Sequence, residues 1–247
     1  MALHHNPRIV TSGLVFHVDA ADRNSYPGTG NTWYDLTGNG SHLTITGFTA
    51  PPVWEPTENG RFAFDGITSR GYMTGTGTSA LQSMSDFTII VWARHNSTAA
   101  QNRYYVLDTR KNSSTGAGLG FDRNSTTTFD PFHFAQVGGY DEFAENAYEF
   151  NSDTTYQLGV ARIGSDIKTI ENDSQTLSTP STIAGGTLTT STINNSGLVV
   201  GTFESAGGTT PEYFWDGYIY AIMIYNRALT TSEVTQNYQA LNTRFGL

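Results

Sequence analysis

Residues 215–229 read WDGYIYAIMIYNRAL and decide the fold. The apolar and aromatic run from Tyr218 to Tyr225 predicts a buried β-strand. The segment that follows, residues 232–241, carries Val234, Tyr238 and Leu241 at spacings of four and three. That spacing predicts a short amphipathic helix, with Thr231 or Ser232 as its N-cap. A buried strand followed by one short helix is therefore expected at the end of the domain.

Upstream of this segment, the chain reads as short strands separated by glycine, proline and asparagine turns. The clearest is FTIIVWAR at residues 87–94. In the first strand, Leu14, Phe16 and Val18 are predicted on one face, with Val15, His17 and Asp19 on the other. Further strands are predicted at residues 43–48, 61–65, 71–74, 104–109, 118–121, 132–137, 149–150, 155–163, 167–171, 176–178 and 198–203. Such spacing indicates an all-β sandwich.

Length and composition agree with one large domain. The chain has 247 residues, which all-β sandwiches reach as one unit. We divide it into an N-terminal arm at residues 1–12 and a domain at residues 13–247, because no composition break splits the rest. There are no cysteines, so disulfides, thiolate metal sites and cysteine nucleophiles are excluded.

Charge and hydropathy argue against two classes of partner, nucleic acids and membranes. The net charge is −9, and lysine and arginine do not cluster, so nucleic-acid binding through a basic face is not expected. No apolar run approaches the ~18 residues that cross a membrane, and residues 1–8 do not read as a secretory signal. Charged residues make up only 14% of the chain, which leaves a surface of hydroxyl and amide groups.

Two blocks of sequence carry a resemblance to a known family. The first comprises GLVFHVDAA at residues 13–21, SYPGTG at 25–30 and WYDLTGNG at 33–40, preceded by NPRIVTSGLV from residue 6. The second is the segment at residues 215–229, followed by Ser232-Glu-Val and Tyr238. Together with FAFDG at 62–66 and FTIIVW at 87–92, they resemble laminin G-like or concanavalin A-like lectin/glucanase domains. The first block is similar to the variant found in structural proteins of tailed bacteriophages.

The resemblance implies an all-β, two-sheet antiparallel jelly-roll sandwich, with one short C-terminal helix. In many members of this family glycans bind at the concave face or rim, and some members hold Ca²⁺. The chain departs from the family pattern at Tyr220-Ala221, where relatives often have Asp-Glu, and it lacks their central Val-Asn-Gly hairpin.

Catalysis is not predicted. Glucan-cleaving relatives carry Glu-x-Asp-x-Glu on one strand, whereas here the nearest carboxylates are Asp141, Glu142, Glu145 and Glu149. On a strand each step of four residues spans roughly 13 Å, while a retaining pair needs about 5–5.5 Å. No Gly-x-Ser-x-Gly elbow is present, and Gly116-x-Gly-x-Gly120 runs into a strand rather than into a phosphate-binding helix.

Oxygen ligands near the first strand define a candidate Ca²⁺ site. The site would consist of Asp19, Asp22, Asp35 and Asn39, because carboxylate and amide oxygens are the ligands that Ca²⁺ prefers. The alternative is that Asp35 and Asn39 only stabilise turns. The absence of the 1-3-5 acidic spacing favours that alternative. The histidines are scattered and form no zinc motif.

The aromatic residues fall into two groups. One group, together with the aliphatic Ile219, lies in strand patterns and is predicted to be buried in the core. It comprises Phe16, Phe64, Phe87, Trp92 and Tyr225. The other lies at strand ends or in loops: Trp54, Tyr104, Tyr105, Phe132, His133, Tyr140 and Trp215. All of these except Trp215 form the candidate glycan-binding set. Flat rings beside polar groups suit sugar recognition. The same rings could instead pack loop bases or a subunit contact.

These observations predict a non-catalytic virion structural protein of a tailed phage. It would be a head decoration or a short fibre or adhesin subunit, assembled in the host cytoplasm and oligomeric. Residues 1–12 would attach it to capsid or tail proteins, and host-surface polysaccharide is its candidate ligand. The alternatives are a stand-alone carbohydrate-binding lectin-like module and, less favoured, a glycoside hydrolase.

Overall fold

The computed structural model of the chain is a two-sheet β-sandwich with one helix. It describes residues 7–47, 50–66, 71–75, 86–96, 103–108, 116–123, 128–136, 142–144, 150–163, 166–177, 198–202 and 213–245. The strands of the first half are β1 (Leu14–Asp19), β2 (Thr32–Trp33), β3 (Leu43–Gly47), β4 (Val53–Glu55), β5 (Arg61–Asp65), β6 (Gly71–Gly75), β7 (Phe87–His95) and β8 (Arg103–Asp108).

The second half begins with the hairpin of β9 (Gly116–Arg123) and β10 (Thr128–Gln136). The later elements are β11 (Glu142–Ala144), β12 (Phe150–Asn151), β13 (Thr155–Ile163), β14 (Asp166–Glu171), β15 (Ser174–Leu177), β16 (Leu198–Val200), β17 (Asp216–Tyr225) and α1 (Thr231–Leu241). The predicted all-β class and the C-terminal helix are confirmed. The strands predicted at residues 167–171 and 176–178 overlap β14 and β15, which pair as a hairpin across Asn172-Asp173.

The first sheet has the strand order β15-β14-β13-β7-β17-β5-β4, and β1 also pairs with β17. Strand β17 is central because one of its edges lies along β7, while the other pairs with β5 in its first half and with β1 in its second half. A register shift between Ile219 and Ala221 separates the two halves. The segment chosen from the sequence as decisive is therefore the strand that the first sheet is built around.

The second sheet has the order β11-β10-β9-β8-β16-β6-β3-β2, with β12 paired to β10. Between the two sheets lies the main hydrophobic core, to which most strands contribute alternate positions. The adjacent Val106 and Leu107 of β8 both belong to it, where a register shift interrupts the alternation. From the first sheet come Phe16, Val18, Phe62, Phe64, Ile89, Val91, Ile222 and Ile224; from the second come Leu43, Ile45, Val106, Leu107, Leu198 and Val200.

A second hydrophobic cluster covers the other face of the first sheet. Met223 and Tyr225 point to this face because they alternate with the core residues of β17. Helix α1 contributes Val234 and Leu241, and the segment beyond it contributes Phe245. Trp92, predicted as core, belongs to this cluster. All six predicted core residues are buried.

The face prediction for the first strand is wrong at its start. A register shift between Leu14 and Phe16 interrupts the alternation. As a result, Val15 packs against the main core with Phe16, and Leu14 packs against the second cluster. From Phe16 to Asp19 the predicted alternation holds.

Part of the predicted arm is packed against the domain. Val10 is buried in the second cluster, its N–H donates to Asn237 Oδ1 (2.8 Å), and its carbonyl accepts from the Tyr225 hydroxyl (3.0 Å). Arg8 and Ser12 accept hydrogen bonds through their carbonyls from Gln236 and Arg227. Residues 8–12 are therefore held by β17 and α1, and residues 1–6 lie outside the described part of the chain.

Candidate functional site

Strand register assigns the two faces of the second sheet. Leu107 belongs to the main core, and it pairs with Leu119 of β9, which in turn pairs with His133 of β10. Directly paired residues share a face, and neighbours along a strand alternate. Positions 119 and 133 therefore face the core, and positions 118, 120, 132 and 134 lie on the face turned away from it. We call that face the outer face of the second sheet.

Two of the predicted glycan-binding residues share one row on this outer face. Tyr105 of β8 pairs with Gly120, and Gly120 pairs with Phe132 of β10. Tyr105 is buried outside the main core cluster, and its ring lies 5.9 Å from that of Tyr213. The structure thus brings positions 105 and 132 to opposite sides of β9.

Between these two positions, β9 presents glycines to the outer face. Gly116, Gly118 and Gly120 alternate along the strand and so share a face. Glycine within a strand often marks a place where a ligand or another backbone approaches closely. The prediction that this glycine-rich segment runs into a strand is confirmed, because it forms the start of β9.

The structure does not bring the six predicted aromatic and histidine residues together. Position 133 lies on the core face. Tyr104 pairs with Phe121, two residues from Leu119, and so shares that face. Tyr140 lies outside the described residues, and Trp54 belongs to the first sheet. Only Tyr105 and Phe132 occupy the same row of the outer face.

Trp54 packs at the edge of the first sheet. Its indole N–H donates to the Ala20 carbonyl (3.0 Å), and its ring lies 5.8 Å from the ring of Tyr26. The Arg23 guanidinium stands over it at 5.4 Å, while Arg23 also donates to the Pro27 carbonyl. These contacts give Trp54 a packing role that fixes the turn at residues 25–30.

An aromatic pair that the sequence reasoning missed extends the outer face at its β2 edge. Thr32 pairs with Thr44, and Trp33 pairs with Leu43. Trp33 and Leu43 are buried in the main core. Tyr34 and His42 come next along the two strands, with their rings 5.1 Å apart and nearly perpendicular (71°). Tyr34 is 42% exposed. The signal was present, since a tyrosine after a core tryptophan must face the other way.

The four residues of the candidate Ca²⁺ site are engaged in separate hydrogen bonds. Asp35 accepts from the His17 N–H (3.0 Å) and from the Thr37 N–H and hydroxyl (3.1 and 2.6 Å). Asp22 accepts from the Asn24 N–H, and the Asn39 amide donates to the Val15 carbonyl (2.9 Å). Within the described ranges no three His, Cys, Asp or Glu side chains are grouped so that they could hold a metal ion.

Asp19, the fourth residue of that set, forms a buried ion pair. It is 1% exposed, and its Oδ2 lies 2.8 Å from Arg244 Nη1. Burial raises the pKa of the Asp19 carboxyl to about 6, although Arg244 opposes the shift. This pair fastens the segment after α1 to the end of β1.

His17 lies buried on the same strand. Burial lowers the pKa of its imidazole to about 4, against the opposing fields of Asp35 and Asp22. Its Nε2 is buried without a hydrogen-bond partner. Because Arg244 also disfavours a charge here, the ring is neutral near pH 7.

A second charged cluster lies on the first sheet. The carboxylate of Glu58 pairs with Arg61 (3.0 Å) and Arg94 (3.4 Å) and accepts from the Tyr220 hydroxyl. Burial raises the pKa of Glu58, but these partners outweigh burial and hold it below the usual value. Both guanidiniums stand over the Tyr218 ring, at 3.7 and 4.5 Å. The cluster holds the loop before β5 onto the sheet.

Among the four acidic residues weighed for catalysis, only Glu142 lies within the described residues, as the first residue of β11. Asp141, Glu145 and Glu149 lie outside them. In the described part of the chain, no helix is long and apolar enough to cross a membrane.

Comparison with solved structures supports the sandwich assignment. Domain 4 of AbnA, a GH43 extracellular arabinanase from Geobacillus stearothermophilus solved with arabinotriose, is similar over 92% of this chain and 98% of that domain, with a TM-score of 0.65 and 16% identity. The binding domain of botulinum neurotoxin serotype D/C matches 93% of this chain and 52% of that one, at a TM-score of 0.64 and 14% identity.

A Trypanosoma rangeli sialidase solved with the inhibitor DANA is similar over 98% of this chain, at a TM-score of 0.62 and 14% identity. This chain spans about a third (36%) of that sialidase. No family model and no curated protein sequence matches the chain significantly. At these identities the likenesses show the fold, which is the β-sandwich shared by these three proteins.

Proposed function

We propose that this chain is a non-catalytic carbohydrate-binding module, and that the outer face of its second sheet holds the sugar. The observation that carries this proposal is the match to the arabinanase domain, which covers nearly all of both chains. That domain was solved with arabinotriose, so a sandwich of this size and form accommodates an oligosaccharide.

The second sheet supports the choice of face. Helix α1, residues 8–12 and Phe245 pack on the opposite side of the sandwich, over the first sheet. The outer face of the second sheet has Tyr105 and position 132 on either side of a glycine-bearing strand. Because Tyr105 is buried, it supports this row from below. The proposal therefore places stacking on the apolar face of a sugar at the exposed ring of Tyr213, which lies beside Tyr105, and at position 132.

A glycan array tests this function. We expect the protein to bind one or more oligosaccharides, and Phe132→Ala to weaken binding about tenfold, the upper end of what one aromatic contact provides. Ile163→Ala is the matched control, because Ile163 is exposed on the first sheet, and it should bind like the wild type. Absence of binding to every glycan, with and without Ca²⁺, would overturn the proposal.

We further propose that the module works on a tailed-phage virion, as a head decoration or a short fibre or adhesin subunit. The similarity of residues 6–40 to phage structural proteins supports this role. Virion proteins are then its partners, and a homo-oligomer is its expected state. Deleting residues 1–7 is the appropriate test, because it spares the contacts of Val10. The truncated chain should fold but fail to join particles, and normal incorporation would defeat the attachment role.

The non-catalytic assignment is tested separately. The purified protein should release no reducing sugar from arabinan, β-glucan or sialylated substrates. Hydrolysis that disappears in Glu145→Gln or Glu142→Gln would instead establish a glycoside hydrolase.

A further inference from the structure

The β2 edge of the second sheet carries a second surface with the chemistry of a sugar site. Four side chains form two adjacent rungs there: Thr32 opposite Thr44, and Tyr34 beside His42. Thr44 and Tyr34 are exposed, and Thr32 and His42 are half-buried. None of the four carries a permanent charge, so this surface offers a ring face, an imidazole and two hydroxyls.

Hydrogen bonding fixes the tautomer of His42. The Asp35 backbone N–H donates to His42 Nδ1 (3.0 Å), so Nδ1 is an acceptor. The ring proton of the neutral imidazole is therefore on Nε2. Nε2 is available to donate a hydrogen bond to a hydroxyl on a ligand.

The loop that joins Tyr34 to His42 is held in place on both sides. Asp35 accepts from the backbone of His17 and from Thr37, and the Asn39 amide donates to the Val15 carbonyl (2.9 Å). The Tyr34 carbonyl accepts from the Ser25 hydroxyl (2.7 Å), and its N–H donates to the Ser25 carbonyl (2.7 Å). Because the backbone at Tyr34 is fixed before binding, the loop loses little freedom when a ligand binds, which favours affinity.

Among the residues whose side-chain exposure the structure describes, two aromatic rings are exposed, and both are associated with the second sheet. They are Tyr34 at its β2 edge and Tyr213 beside Tyr105 of β8, whereas the exposed aliphatic residues, Val53 and Ile163, belong to the first sheet. Strands β2 and β8 are four strand spacings apart, which is roughly 19 Å. A ligand at Tyr34 therefore occupies a different position from one at Tyr105.

We propose that Tyr34 and His42 form a separate subsite for a neutral sugar ring, which stacks on Tyr34 and accepts a hydrogen bond from His42 Nε2. This inference rests on the proposed carbohydrate-binding function and adds a second contact point to it. An extended polysaccharide would engage both the subsite and the row at Tyr105 and Phe132.

Binding to immobilised neutral oligosaccharides, including arabinotriose and longer arabinan fragments, tests the subsite. Tyr34→Ala should lower affinity for the longer fragments about tenfold, and Tyr34→Phe should stay within about twofold of the wild type, because it keeps the ring. In His42→Asn the amide oxygen can accept from the Asp35 N–H, but the shorter side chain places no donor at the position of Nε2, so the variant should lose affinity while its thermal stability is retained. Ile163→Ala is again the control.

The outcomes separate the two proposals. If Phe132→Ala loses binding while Tyr34→Ala and His42→Asn keep it, the subsite is overturned and the carbohydrate-binding function stands. If the wild type binds no neutral glycan, both fail. If Tyr34→Ala loses binding only because it unfolds, His42→Asn decides. Lower affinity in His42→Asn at retained thermal stability supports the subsite, and unchanged affinity overturns it.

Discussion

At the scale of single residues, Asp19 and His17 oppose each other in their effect on stability. The folded-state pKa of Asp19 lies near 6, above its usual 3.8, so its contribution to stability is present below about pH 3.8 and lost as pH rises through 6. The folded-state pKa of His17 lies near 4, below its usual 6.5, so stability is gained as pH rises from 4 to 6.5. Between pH 4 and 6 the two effects nearly cancel.

Replacing Asp19 should therefore expose the contribution of His17. In Asp19→Asn the free energy of unfolding should rise with pH between 4 and 6 more steeply than in the wild type, by up to ~1.4 kcal/mol per pH unit. Urea unfolding at half-unit pH steps measures this slope. In the variant Arg244 is unpaired at every pH, which lowers the free energy of unfolding by a constant amount and does not change the slope. Equal slopes in the two proteins would contradict the assignment.

Asn237 links α1 to residues 8–12 and to the central strand β17. Its side chain is fully buried, accepts from the Val10 N–H and donates to the Tyr225 hydroxyl (3.0 Å). Asn237→Ala leaves the Val10 N–H without its acceptor and should lower the free energy of unfolding by about 1–3 kcal/mol. The control is Gln236→Ala, which removes an exposed hydrogen bond to Arg8 and should change it by less than 1 kcal/mol. Similar losses in both variants would argue against this role.

At the scale of elements, the corner between β17 and α1 explains the Tyr-Asn-Arg-Ala-Leu motif at residues 225–229. Arg227 binds both carboxylate oxygens of Glu233 (2.9 and 2.6 Å) and also donates to the Ser12 carbonyl. Thr88 of β7 donates to the Arg227 carbonyl and accepts from the Leu229 N–H. The motif therefore fixes the turn that sends the chain from the central strand to the helix.

The predicted helix cap is wrong by one residue. Thr230, rather than Thr231 or Ser232, accepts from the Glu233 N–H, and Glu233 accepts from the Thr230 N–H, which completes a capping box. The sequence offered three consecutive hydroxyl residues, and only the position of Glu233 three residues later distinguishes Thr230. The bond from Arg227 and the Thr230 N–H lower the pKa of Glu233 to about 2, although burial opposes them.

This cap leads to a stability prediction. Thr230→Ala should lower the free energy of unfolding by about 1 kcal/mol, because one N-terminal N–H of the helix loses its acceptor. Thr231→Ala and Ser232→Ala should each cost less than half of that. Chemical denaturation of the three variants checks the order, and a larger loss in either of the last two would place the cap elsewhere.

At the scale of the whole molecule, the fold was largely predictable and the candidate site was not. Alternating apolar strands and turn residues specify a sandwich, because each buried strand needs a partner sheet. Residues such as Thr155–Ile163 were assigned to a strand with the bounds that the structure has. The very short β2 and β4 were missed, since two or three residues carry no detectable period.

The candidate site depends on register between strands that are distant in sequence. Tyr105 and Phe132 meet in one row only because β8, β9 and β10 pair as they do, with a register shift between Tyr105 and Leu107. That shift cannot be read from one strand alone. The same pairing puts position 133 on the core face, although His133 is adjacent in sequence to Phe132.

The most direct test of carbohydrate binding on the second sheet is amide chemical-shift mapping. Isotopically labelled protein would be titrated with the tightest oligosaccharide from the array. We predict that the perturbed amides cluster in β8, β9 and β10 and at Tyr34 and His42, while α1 and residues 8–12 stay unchanged. Perturbations confined to α1 and the first sheet, or none at saturating ligand, would contradict the account.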